Sequence, residues 1–278
     1  IRTEPPLAVS GLTIQGNSLR VGFAGQVPGV RYSLELTVSD AQGNSLSLIT
    51  EFYGLNPLVP RLLINEFTPR GTETHPDLVE LRALSEGDLA GVVIYEGTYG
   101  NWDDRLILPA LSIHEGEFIL VHFKPQGIAE ETDENSREAI AQSGGLDASA
   151  TAFDFWVPGG DGLGGNNGVL SLYDRPGGAL LDGVLYSNRT SASDTLYRGF
   201  GTADTLARAE ELVREGGWSI AEGQVRPEDA VSPEGSAGTR SLCRSSLSAD
   251  TDSAADWHIV PTRGATFGGE NSDEIYVP

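Results

Sequence analysis

Several groups of residues have the type and spacing to do chemistry. Asp250-x-Asp252, followed by Asp256, places three carboxylates close together, and a hard cation such as Ca²⁺ wants several oxygen ligands at such spacing. An EF-type loop also needs a ligand at its fifth position and Gly at its sixth, where this chain has Ala254 and Ala255. The three aspartates therefore stand as calcium candidates outside an EF loop. Beside that is a structural reading, in which they accept backbone N–H bonds and order the turn before Trp257. Glu66 and Glu80 each lie inside an apolar run, and a buried carboxylate needs a partner. With Asp77 and His122 they would make a centre for a metal-dependent hydrolase using Zn²⁺ or Mn²⁺, provided the fold brings their strands together. His75, His114, His122 and His258 lack the His-x-x-x-His spacing of a helical metal site, and His122, between Val121 and Phe123, reads as a core or edge histidine.

Gly160-Asp161-Gly162-Leu163-Gly164-Gly165 spells a dinucleotide motif. That motif works only between a strand and a helix N-terminus, which aims amides at a pyrophosphate. Here Gly168-Val169-Leu170-Ser171-Leu172-Tyr173 comes next with the alternation of a strand, so the glycines read as a flexible loop. No Gly-x-Ser-x-Gly elbow is present. Cys243 has arginines near it in Arg240-Ser241-Leu242-Cys243-Arg244, which would lower a thiol pKa, while a lone thiol in a strand-like run is more often a small buried residue. Trp102 with Tyr99, and Trp156 with Phe155, are candidates for stacking on sugars, against the alternative of core or loop anchors.

Charge narrows the partners. Eighteen basic and 40 acidic residues leave a net charge of −22, which repels nucleic-acid phosphate and anionic lipid. The acidity serves solubility in the plain reading, and affinity for divalent cations or basic partners in the sharper one. A single cysteine rules out an internal disulfide. No apolar run is long enough to span a membrane. The chain contains no Met and opens on Ile1-Arg2-Thr3-Glu4-Pro5-Pro6, so the expectation is a trimmed, exported bacterial protein, with a lipid anchor upstream of Ile1 as one way of holding it at the surface.

The elements that must position these groups are mostly strands. Residues 1–6 read as a Pro-stiffened tether, and four strands come after it with alternating faces (Tyr32, Leu34, Leu36 and Val38 share one). Residues 1–60 thus read as a small β domain that leans on the larger region C-terminal to it. Pro57-Leu58-Val59-Pro60 marks the boundary. Beyond it come Leu62 to Phe67, Asp77 to Leu81, Gly87 to Tyr95, Phe118 to Phe123, and a hairpin of Gly168 to Asp174 with Gly178 to Tyr186. Two insertions break the pattern, about 124–165 and 187–238. The first carries a short helix candidate, Ser136 to Gln142. The second carries a helix from Thr205 to Glu215, with Asp204 as its cap and Gly216-Gly217 as its stop. Long structured insertions in a compact domain are commonly functional.

Asn65-Glu66 ending one strand, Asp77-x-x-Glu80 opening the next, the late hairpin, and a closing Asp-rich loop with Trp257 and then Asn271 resemble, in that order, the lamin-tail domain. The resemblance covers residues 61–271 in blocks; Leu78 stands where the family usually has an aromatic. It implies an all-β, immunoglobulin-like β-sandwich with helical insertions, preceded here by a small β-sandwich-like N-terminal domain. Asn65, Glu66, Asp77, Glu80, Trp257 and Asn271 would be its structural motif residues. Bacterial members are often exported or surface proteins, so the expected function is a non-catalytic extracytoplasmic binding or scaffold module, secreted or a cell-surface lipoprotein, meeting a protein or a glycan. The rivals are a carbohydrate-binding module using Trp102 or Trp156 and the metal-dependent hydrolase. No cofactor is expected apart from Ca²⁺ at the aspartates.

Overall fold

Short apolar runs separated by turn residues fold into seventeen strands, one α-helix and three 3-10 turns, described over residues 1–278 in the computed structural model. The first five strands are β1 (Arg2–Glu4), β2 (Ala8–Gln15), β3 (Ser18–Ala24), β4 (Arg31–Ser39) and β5 (Ser45–Tyr53). β2 and β3 form a hairpin, and β1, β4 and β5 a three-stranded antiparallel sheet. Residues 2–4 are thus a paired strand, where a free tether was expected; Thr3 is buried and its hydroxyl accepts the Leu7 amide. Two small sheets cannot bury both faces, and β2 is exposed along its length. What holds this region is a stack of Phe23, Phe52 and Tyr32, together with Asn56, whose side-chain amide donates to the carbonyls of Asp88 and Ala90.

The remaining strands are β6 (Leu62–Thr68), β7 (Leu78–Ala83), β8 (Gly87–Asp88), β9 (Val93–Thr98), β10 (Asn101–Ile107), β11 (Ser112–Ile113), β12 (Phe118–His122), β13 (Phe153–Trp156), β14 (Asn167–Tyr173), β15 (Leu180–Ser187), β16 (Leu242–Arg244) and β17 (Trp257–Ile259). One sheet has the order β13-β12-β7-β6-β16-β17 and the other β10-β9-β14-β15. Side chains alternate across each strand, and the inward faces meet in one core of 35 buried residues, with Ile64, Val79 and Val121 from the first sheet and Ile94, Leu170 and Val184 from the second. The chain is all-β in class.

The first insertion departs from the expected helix. Only Arg137–Ala139 forms a 3-10 turn, and the insertion instead supplies β13, which pairs in parallel with β12. Its anchor is polar and buried: Glu134 accepts the amides of Asp154, Gln142 and Ser143, and Asp154 meets His122 at 2.7 Å. The second insertion carries the helix, α1 (Ala203–Arg214), which buries Arg208, Ala209 and Leu212. Its cap is Thr202, whose side chain accepts the Thr205 amide; Asp204 falls inside the first turn, where its charge suits the helix dipole. Gly216, at φ 84°, turns the chain out of the helix.

One ion pair crosses between the two sheets. Arg244 on β16 is fully buried and faces inward with Leu242. Its guanidinium lies 3.3 Å from both carboxylate oxygens of Asp182 on β15, donates to the Ile64 carbonyl, and sits 4.7 Å over the Trp257 ring. Asp182 also accepts the amides of Ile64 and Gly183. Removing one member leaves the other charged and buried, which costs about 3–5 kcal/mol. Arg244→Ala is therefore expected to lower the urea midpoint severely, whereas Arg31→Ala, which breaks the exposed pair with Glu51, leaves it within error.

Candidate functional site

The residues singled out in the sequence fall into three places. Asn65, Glu66, Glu80 and Asn271 form one buried clamp. Glu66 lies opposite Glu80 across β6 and β7. It accepts from the Ser241 hydroxyl and from both the amide and hydroxyl of Thr266. Glu80 accepts from Asn65 and from the Gly268 amide, while Asn271 donates to the carbonyls of Asn65 and Arg244. Burial raises both carboxyls above their ordinary range, and Glu66 beside it raises Glu80 further. The clamp straps residues 266–271 across the sheet. His122 is turned to Asp154, and Asp77 to the amides of Gly71 and Leu163, so the hydrolase grouping is dispersed over three separate networks.

Asp250, Asp252 and Asp256 gather at the end of β16, and Asp182, Asp250 and Asp252 have carboxylate oxygens at metal-ligand spacing. Arg244 already lies among them: its guanidinium donates to Asp250 at 2.8 Å and to Asp256 at 3.4 Å. Asp256 also accepts from Thr251 and Ser253, which orders the turn before Trp257. Cys243 faces away from Arg244, as neighbours on a strand must. It lies 3.5 Å from His258, and burial with the nearby Glu66 and Glu80 drives its thiol far above the range in which it would ionise. Trp156 is stacked on His122 at 3.7 Å and donates to the Ser143 hydroxyl, so one ring face is occupied.

The third place is a cleft at the edge of the four-stranded sheet, of ≈ 450 Å³, between residues 164–168, where a loop runs into β14, and the start of α1. Such a volume suits a small ligand. Its walls include Glu96, Asp103, Asn167, Arg189 and Arg208, and an adjoining depression holds Trp102, Asp104 and Asp161. β9 aims Ile94 into the core, and Glu96, two residues on, shares that face at the strand's end. Its Oε1 accepts the Gly164 amide at 2.7 Å. Burial pushes the Glu96 carboxyl up to about 7, and Asp103 and Asp104 add to the shift against the Gly164 amide and Arg208. Arg208 reaches from α1 in a two-pronged pair with Asp103, at 2.5 and 2.7 Å, which holds the Asp103 carboxyl below its usual range.

Near the cleft, but closed off from it, lies the hydroxyl of Tyr186. The residue is fully buried, its ring packs on Phe67, and its hydroxyl has no hydrogen-bond partner. Gly168, its cross-strand partner on β14, covers it: a Cβ on Gly168 would lie 2.4 Å from that oxygen, and one on Gly164 3.7 Å from both it and Glu96 Oε1. Glycine is required at 168 for this approach. Burial, with Glu96 and Asp77 nearby, keeps the phenol protonated. Asp77 accepts the Leu163 amide at 2.8 Å, so consecutive amides of the Gly-rich loop are held by two carboxylates and none of this pair is free for a phosphate. Trp102 is 39% exposed beside the cleft, with Arg105 over its ring at 4.5 Å.

Trp102 is therefore the stacking candidate that borders this cleft. Glu96, Tyr186 and Arg208 were not singled out in the sequence. Glu96 carries the signal that marked Glu66 and Glu80, a carboxylate closing an apolar run (Val93-Ile94-Tyr95-Glu96). Arg208 carries another, a basic residue four before Leu212 on the apolar side of the helix. No local pattern exposes an unpaired tyrosine hydroxyl.

A family model described as "protein second domain" matches residues 60–259. An "Uncharacterized protein" of Treponema pallidum (strain Nichols) is 29% identical over 194 residues, covering 68% of this chain and 48% of that protein. The chain thus spans about half the length of the curated relative it matches. No solved structure matches.

Glu96 makes stability depend on pH. Its folded carboxyl keeps a proton up to about 7, against 4.5 for the free side chain, so this group's contribution is full below pH 4.5 and is lost as the pH rises through 7. The shift corresponds to on the order of 3 kcal/mol. Urea unfolding at about pH 5 and about pH 8 should show Glu96→Gln gaining that much on the wild type between the two. Parallel pH profiles would contradict the assignment.

Proposed function

From the premise that the chain belongs to the TP_1001_2nd family, whose model is described as a second domain, we propose that it is a non-catalytic, extracytoplasmic binding module of a bacterial surface protein. The ligand sits in the cleft between residues 164–168 and the start of α1. The observation that carries this reading is the polar cleft itself, into whose wall Glu96 brings a largely buried carboxyl with only one oxygen bonded within the chain. A carboxyl shifted by burial in the wall of a cleft is a candidate for ligand contact.

The scaffold in this reading is the immunoglobulin-like sandwich of the lamin-tail type. Support comes from the motif blocks, which fall on neighbouring strands, and from Asn271, which returns from the closing loop to Asn65. The parallel strand β13 is an addition to that plan. Binding without turnover fits the groups present. Asp103, the carboxylate nearest in role to an ionised partner for Glu96, is committed to Arg208, and the buried Cys243 stays a thiol. No helix is long and apolar enough to cross a membrane. A module that matches half of a longer relative, and carries a net charge of −22, suits a place in a larger exported protein, where its partner would be a protein or glycan at the cell surface.

Thr205, on the first turn of α1, lines the cleft and is partly exposed, so Thr205→Trp fills the space without touching the core. In a thermal-shift panel of sugars, polyamines, amino acids and phosphates, at least one class should raise the melting temperature of the wild type and leave that of Thr205→Trp unchanged. Steady turnover of ester, phosphate or glycoside substrates by the wild type, lost in Thr205→Trp, would overturn the non-catalytic reading.

A further inference from the structure

Resting on the binding-module reading, we propose that the cleft takes a primary alkylammonium group, from a free polyamine or from a lysine side chain of a partner protein, seated between Glu96 on β9 and Asp104 on β10. Strand register puts these two carboxylates together. Ile94 pairs with Leu106 and both enter the core; Glu96 pairs with Asp104 two residues further out, on the same face. Like charges directly opposite one another in a sheet are destabilising, and a cation between them removes the conflict.

The chain supplies no such cation. A bulge between Trp102 and Asp104 leaves Asp103 out of the register, and Asp103 takes Arg208 in its two-pronged pair. The guanidinium that acts on Glu96 is therefore already answered. Arg189, the other cation in the cleft wall, donates to the Gly199 carbonyl and lies 3.5 Å from Asp194. Arg105 is turned over the Trp102 ring. Across the cleft and the depression that adjoins it, five acidic residues line the walls against two arginines, so the excess is negative. Asp204 adds to it at the start of α1, where it offsets the positive end of the helix.

A cluster of acids is ordinary in so acidic a chain, and Glu96 is what sets this one apart. The residue is 6% exposed, and its Oε1 holds the Gly164 amide. Its Oε2 accepts nothing from the chain and, unlike the Tyr186 hydroxyl, is not sealed from solvent. Glu96 lines both the cleft and the adjoining depression, so the free oxygen opens into the space they share.

Geometry then selects among cations. A hard metal ion needs several oxygens at close mutual spacing; that spacing occurs at Asp182, Asp250 and Asp252, and no such group forms at Glu96. A quaternary ammonium needs open aromatic faces, and Arg105 already lies over Trp102. A primary ammonium is compact and carries three donors. These can divide between Glu96 Oε2, Asp104 and Asp161, whose amide already reaches Asp104 Oδ2 at 3.4 Å.

The test titrates the full chain by calorimetry in low-salt buffer at about pH 8, where Glu96 is largely ionised. The probes are cadaverine and Nα-acetyl-lysine N-methylamide, with pentanol and Ca²⁺ as the uncharged and metal controls. At least one amine should bind and pentanol should not, with ¹⁵N-HSQC shifts centred on 96, 103–104 and 161–164. Glu96→Gln should weaken the amine about tenfold or more, and Asp104→Asn severalfold. Glu35→Gln, the same loss of charge at an exposed site on β4, should leave affinity unchanged. Both cleft variants keep the shape of the acid they replace, and their melting temperatures verify the fold. Tighter binding of cadaverine identifies a free polyamine and tighter binding of the lysine amide a protein partner; either sustains the site. Equal weakening in all three variants marks attraction to net charge alone and overturns the proposal, as does Ca²⁺ binding lost in Glu96→Gln without amine binding. If no amine binds while another class passes the Thr205→Trp thermal-shift test, the ammonium site falls and the binding module stands. If no class binds at all, both fall.

Discussion

The ion pair between Arg244 and Asp182 is the constraint on which the two-sheet structure turns. Both side chains lie out of water, and they belong to different sheets. Hydrophobic contact between sheets is non-directional and would tolerate sliding, whereas a guanidinium facing a carboxylate fixes a position. Arg244 adds the Ile64 carbonyl, the Ala249 carbonyl and the loop aspartates, so the closing loop is set by the same group that registers the sheets. Asp182 in turn takes the Ile64 amide. β6 therefore meets this pair through both its N–H and its C=O at one residue, and its register carries outward to the Glu66–Glu80 clamp and to β7.

Buried carboxylates are the recurrent device beyond that pair. Glu66, Glu80, Asp77, Glu134 and Asp154 each accept backbone amides from a segment with no regular structure of its own. A loop laid over a sheet must satisfy its amides without water, and a carboxylate with two oxygens can take several at once. This explains how residues 124–165 and 266–271 stay ordered with few strands. It also explains why so acidic a chain can bury these side chains: each carboxylate is matched locally by amides and hydroxyls. Glu96 belongs to the same class and differs in one respect, since only one of its oxygens is used.

The strand plan was legible from alternation, because period-two patterning decides which face meets the core. Tyr186, Leu185 and Val184 could be placed on a strand, and Glu66 with Glu80 could be marked as buried carboxylates needing partners. The parallel strand at Phe153–Trp156 was hidden, since its partner lies across a long connection and nothing local distinguishes it from a loop. The Thr202 cap was masked by Asp204, an equally good capping residue two positions on. Cys243 and Arg244 were read together as neighbours in sequence, but strand geometry sends them to opposite faces, and the charge attributed to the thiol's surroundings serves Asp182 instead. The cleft was least legible of all. Its residues come from β9, β10, a loop and α1, and only the assembled fold makes them adjacent.

The cleft and the core differ in how they treat polar groups. Around Arg244 and in the Glu66–Glu80 clamp, the guanidinium and the buried carboxylates are answered by groups from distant parts of the chain. At Glu96 the answer is partial, one oxygen taking the Gly164 amide, although the surrounding loop is as firmly held as any. Asp77 and Glu96 fix the amides at 163 and 164, and the Arg208–Asp103 pair ties α1 to β10. A site that lacked partners because it was loose would show neither restraint. A carboxyl oxygen left free inside a rigid frame has a fixed direction, which is the condition for recognising a ligand without the entropic cost of first ordering the protein. Gly168 has a separate, structural role: its bare backbone on β14 makes room for the Tyr186 ring on β15, which a side chain there would strike.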